Sequence, residues 1–153
     1  MNKASGFKTM NILHKAFLLG QIIFFALSIF IVYSKMIEPP AKELNKLFQL
    51  MVIIVAAGGY FSGAAIFKNK LVQIGEMKSS TKEKFEIYRV ASIIKWSLLE
   101  GPFIFSIIGF VLTGNYAFLA LAFVLMLLFT IESPTDIKIA MHLGISESEL
   151  KEL

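Results

Sequence analysis

Three stretches of the chain run without a charged residue, and each is long for a globular protein. The first is Ala16–Ser34, between Lys15 and Lys35. The second is Leu47–Phe67, between Lys46 and Lys68, and the third is Gly101–Ile131. A helix needs about 20 apolar residues to cross the hydrocarbon core of a bilayer, so the first two stretches each predict one crossing. The third is too long for one upright helix, and the turn dipeptide Gly114-Asn115 breaks it. Beyond the break, Tyr116–Ile131 predicts a fourth helix at the short end of the spanning range. Before it, Gly101–Thr113 is too short to cross alone. The third helix must therefore begin near Ala91–Lys95 and take Glu100 into the bilayer with it. Helices are expected over residues 14–35, 45–70, 82–113 and 116–132, in one membrane domain covering 1–153 with a tail at 133–153. The fold class expected is all-α: a polytopic integral membrane protein, a four-transmembrane-helix bundle with a short cytoplasmic C-terminal helix.

The polar segments refine this outline. Glu38-Pro39-Pro40-Ala41 stiffens the first connection, because each proline fixes its own φ. Thr81–Tyr88 reads as helix continuing beyond the bilayer into water. In the tail, Ser133-Pro134-Thr135-Asp136 carries an N-cap, a proline at the first helical position and an acid three residues on. That pattern starts a new helix at Ser133, ending at Gly144, and Ser146–Leu153 is expected to form a last acidic turn. The first apolar run follows Lys3, Lys8 and Lys15, as in a signal peptide. Its length and the lack of a small-x-small site after it favour an uncleaved first span.

Composition agrees: 56% of residues are hydrophobic and 17% charged, with a mean hydropathy of +0.71. Such a chain is neither a water-soluble globule nor a disordered segment. The net charge of +4 would suit nucleic acid, but its distribution does not. With both termini and the second loop in the cytoplasm, eleven Lys and Arg fall inside and three outside, as the positive-inside rule requires. The location expected is therefore the bacterial inner membrane, with cytoplasmic termini. No nucleic-acid partner is expected, though the basic Lys68–Arg89 loop can touch anionic lipid. Without cysteine there is no disulfide and no thiolate nucleophile or ligand.

Glu100 is the first candidate for chemistry. It lies about six residues, or roughly 9 Å, inside the tail-side end of the third span. An acid at that depth costs on the order of 2–3 kcal/mol and normally faces protein or water for a purpose. Desolvation disfavours a carboxylate's charge, so a neutral, proton-carrying form becomes accessible there. Pro102 cannot donate to the carbonyl of Leu98 and is expected to kink the helix beside the acid. Ser97 and Ser92 are spaced to reach Glu100 from its own helix, and Arg89 or Lys95 is expected to tune its charge. Lys95, however, sits some 140° around the helix from Glu100; its stem is expected to reach the headgroups, with Trp96 marking the same level. The alternative to a proton or cation site is a buried acid bonded to a neighbouring helix.

Gly59 and Gly63 form a GxxxG, extended by Ala56 and Ser62. Small residues let helices approach closely in lipid, so these four are assigned to helix packing, within the chain or against another. His14 and His142 are too few for a metal site. No grouping resembles a catalytic triad, a phosphate loop or a zinc motif, and neither enzyme activity nor a cofactor is expected.

Residues 56–115 resemble the c-type proteolipid hairpin of rotary ATPases. Gly58, Gly59 and Gly63 match that family's small-residue helix, Lys70–Lys84 its polar loop and Arg89 the start of its return helix. Glu100, eleven residues on and close to Pro102, matches its ion-binding carboxylate. The chain is also similar to small bacterial four-helix membrane proteins of no assigned activity, in Arg89, Leu99-Glu100-Gly101-Pro102 and Leu112-Thr113-Gly114-Asn115. Three functions are therefore expected in turn. The first is a structural or accessory subunit packing in a homo-oligomer or larger inner-membrane complex through the Gly59/Gly63 face. The second is a proton- or cation-translocating protein using Glu100, as the c-subunit resemblance implies. The third is a small dimeric transporter.

Overall fold

The computed structural model describes residues 5–151. Among them there are six α-helices and no strand. The helices are α1 (Ser5–Tyr33), α2 (Asn45–Glu76), α3 (Thr81–Thr113), α4 (Tyr116–Ile131), α5 (Asp136–Leu143) and α6 (Glu147–Lys151), and a 3-10 turn, Lys42–Leu44, precedes α2.

Three helices are long and apolar enough to cross a membrane, over Gly6–Tyr33, Lys42–Glu76 and Thr81–Thr113. At 16 residues, α4 is shorter; with α5 it forms a pair bent by 67°. Two helices outrun the expected boundaries. α1 begins at Ser5 instead of 14 and α2 ends at Glu76 instead of 70. Apolar runs locate the part of a helix that suits lipid, but backbone hydrogen bonding continues wherever packing supports it. Met10 and His14 are buried at the start of α1, and Ile74 is buried at the end of α2. At 1.5 Å per residue, α2 and α3 are about 48 and 50 Å long, well beyond a ~30 Å hydrocarbon core.

α3 is the hub. Half of its most apolar window is buried, against 17% for α2 and 11% for α1. α1, α2 and α4 all pack on it, and α1 also packs on α4. Both turns at the far end are built by local chemistry. Gly114 takes a left-handed φ of 69° and its N–H donates to Phe110 O at 2.7 Å, closing α3. The Asn115 side chain then caps α4 by accepting from Ala117 N, while its amide donates to Asn45 Oδ1 at 2.8 Å. Ala41 N donates to Leu112 O, so the proline-containing first connection and the α3–α4 hairpin share one end.

At the opposite end Gly6 lies against Phe85, and α5 packs on α2 and α3. The cap of α5 is Thr135, which accepts from Lys138 N, and not Ser133 as its sequence pattern suggests. Ser133 is still held by α4, its N–H donating to Thr130 O, which moves the start of α5 two residues on. The acidic turn expected over Ser146–Leu153 appears as α6, its final residues 152 and 153 lying outside those described.

Candidate functional site

Glu100 and Gln21 meet because α1 and α3 run the same way and carry them to the same depth. Gln21 lies 12 residues before the end of α1 and Glu100 13 before the end of α3. Gln21 is fully buried, and its Nε2–H donates to Glu100 Oε2. Its other end, Oε1, is buried without a hydrogen-bond partner. Glu100 is half-buried. A buried amide oxygen left unpaired costs on the order of 1–3 kcal/mol, so this acceptor stands beside the one acid at this depth with capacity to spare.

The serines expected to serve Glu100 are used elsewhere or turned away. Ser92 donates to its own helix at Tyr88 O, 2.9 Å, and Ser97 is exposed. Gln21 takes their place. Sequence reading misses it because an uncharged amide does not interrupt an apolar run as a charge does. It is the one carboxamide in Ala16–Ser34, which is the signal that could have found it.

α3 is loosened at this level. Pro102 has no N–H for Leu98 O, and the Gly59 backbone of α2 lies against that freed carbonyl. A methyl group on Gly59 would collide with Leu98 O and stand 3.0 Å from Pro102 Cγ. Gly63 is less tight: a methyl there would sit 3.5 Å from Leu98 Cβ and Lys95 Cα. Ala56 is buried on the same α2 helix, whereas Ser62 is exposed. The Gly59/Gly63 face is therefore filled by α3 of the same chain, directly behind Glu100.

Arg89 and Lys95 are not brought to the acid. Arg89 pairs with Glu86 at 2.6 Å on the surface, and eleven residues of helix put it about 16 Å from Glu100 along the axis. Lys95 points into a second polar cluster at the tail-side end. Its Nζ is 2.7 Å from Glu132 Oε2, with only 14% of its side chain exposed, and 4.8 Å from the centre of the Phe67 ring.

Trp96 Nε1 donates to Glu132 O at 3.3 Å. His14 Nε2 bonds Phe129 O at 3.0 Å, its ring stacked on Phe129 and edge-on to Trp96. Lys138 Nζ donates to Ile131 O and Ser133 O, closing the C-terminus of α4. His142 meets the Tyr88 hydroxyl at 3.5 Å. Burial, with Lys95 and then Lys138 nearby, holds its imidazole below the ordinary value. The two histidines thus serve one cluster from opposite ends of the chain, while no group of three or more metal-ligating residues forms among the described residues.

No protein-family profile, curated protein or solved structure matches this chain.

Proposed function

We propose that the chain is a non-enzymatic, multi-pass membrane protein that binds and releases one proton or small cation at Glu100. In this reading α1 to α4 cross the membrane as a four-helix bundle, with both termini in the cytoplasm. The basic second loop supports that orientation, and the shared end of the first and third connections supports helices that alternate in direction. The observation that carries the functional reading is the Gln21–Glu100 pair with its spare acceptor. An ionised carboxylate accepts from the Gln21 N–H. A protonated carboxyl has an O–H to donate, and a carboxamide that rotates offers it an oxygen. The same oxygens suit a small cation. Pro102 places a helix turn with one hydrogen bond fewer beside the pair, where small movements cost least.

The test is proton flux in liposomes loaded with a pH-sensitive dye. The wild type is expected to dissipate an imposed gradient and Glu100→Gln to leave it standing, with both proteins equally helical. Equal flux from the two, or none from the wild type, defeats the carrier reading.

A second reading, an accessory subunit that self-associates, has its own support. Val90, Ile94, Ser97, Gly101, Ile104 and Ile108 repeat at alternating spacings of four and three on α3, and all are exposed. Because α3 already fills the Gly59/Gly63 face, the GxxxG is not free for such a subunit, and this stripe is the face of α3 that is. Gly101→Leu is expected to break a dimer seen in mild detergent; an unchanged oligomer would remove this reading.

A further inference from the structure

The tail-side cluster encloses a cavity of about 320 Å³ between α2, α3 and the α4–α5 corner. Its charged lining is Lys95, Lys138 and Glu132, with His142 held toward its neutral form. That leaves a net positive cavity whose donors are not exhausted. Lys95 gives one contact to Glu132 and Lys138 gives two to backbone carbonyls, while an ammonium group has three N–H donors. The cavity also sits at a telling level. Glu132 is the first charge after the apolar run Gly101–Ile131, which is where hydrocarbon gives way to headgroups. Ile131 and Met141 line the same cavity and are 65% and 70% exposed, offering an apolar path outward from its mouth.

We propose that this cavity seats the phosphate of an anionic phospholipid, held by Lys95 and Lys138, with the acyl chains lying along Ile131 and Met141. Basic pockets between helices at the cytoplasmic boundary are suited to such headgroups. The site rests on the membrane reading of α4 and is independent of any role for Glu100. It also differs from the basic residues of Lys68–Arg89, on the end of α2 and the start of α3, where contact with lipid would be diffuse and sensitive to salt.

Two substitutions test it in opposite directions. In nanodiscs mixing phosphatidylglycerol with phosphatidylcholine, retention of phosphatidylglycerol on the purified protein is read by native mass spectrometry. Lys138→Gln is expected to lower retention about fivefold, the worth of one lysine near an anionic surface. Glu132→Gln removes the competing carboxylate and is expected to raise it by about the same factor, a gain that misfolding cannot produce. Lys82→Gln, at the exposed start of α3, serves as the control for diffuse contact and should lower retention by much less than Lys138→Gln. Overturning results are a loss in both cavity variants, no preference for phosphatidylglycerol, or a control variant as weak as Lys138→Gln. Displacement of the lipid by millimolar inorganic phosphate would also overturn it, by identifying a site for the free ion.

Discussion

Substituting alanine at each of two glycines four residues apart separates close helix contact from mere helix propensity. Replacing a mid-helix glycine by alanine gains about 0.5–1 kcal/mol of backbone entropy where space allows. At Gly63 the new methyl would meet its neighbours at 3.5 Å, ordinary van der Waals contact, so the substitution should be neutral or stabilising by up to ~1 kcal/mol. At Gly59 the methyl would collide with Leu98 O and press on Pro102 Cγ. Neither is the free end of a flexible side chain, so the backbone of α2 or α3 must shift at this level. Overpacking of this kind costs about 1–3 kcal/mol, which outweighs the propensity gain. The difference between Gly59→Ala and Gly63→Ala should therefore be about 1–3 kcal/mol in favour of Gly63→Ala. Reversible unfolding by denaturing detergent in mixed micelles, followed by circular dichroism, measures it. If Gly59→Ala is as stable as Gly63→Ala, the close α2–α3 approach at Leu98 is refuted.

Three other outcomes follow from the same contacts. Gln21→Leu leaves the Glu100 carboxyl without its donor and should destabilise by about 1–3 kcal/mol; adding Glu100→Leu should recover much of that loss, and a double-mutant cycle in the unfolding assay reads the coupling. Asn115→Ala removes both the α4 cap and the link to Asn45, an expected loss of about 1–2 kcal/mol in the same assay. His142 gives a pH dependence. Its folded pKa lies below the unfolded 6.5, so above 6.5 it is neutral in both states and contributes nothing. As pH falls through 6.5 the unfolded state takes up the proton first and stability declines, levelling off below the folded value. A melting temperature that falls on acidification, with a shallower fall in His142→Gln, is the expected record.

Much of the fold is legible in the chain, for reasons that also mark where legibility stops. Apolar run length locates the long helices, and the shortness of Gly101–Thr113 alone places Glu100 inside α3. Gly114 and Asn115 announce their turn because few other residues satisfy its backbone. The ends of α1 and α2 were not visible, since burial of Met10 and Ile74 beyond the apolar stretches depends on partners from other helices. The choice of Thr135 over Ser133 as cap is likewise decided by how α4 ends. At the candidate site, the acid and the proline stand out because both are costly in a membrane helix. Gln21 does not, and neither Lys95 facing Glu132 nor α3 filling the Gly59/Gly63 face can be read without tertiary contacts. A GxxxG says that something packs closely; it does not say what.

The proposed function turns on reversible protonation of Glu100 beside Gln21. Infrared difference spectra recorded between alkaline and acidic buffer on the membrane-embedded protein test it most directly. A carboxylic-acid carbonyl band is expected to appear on acidification, to be absent in Glu100→Gln and to shift in Gln21→Leu. A band that persists unchanged in Glu100→Gln, or a wild-type spectrum with no band to lose, would contradict it.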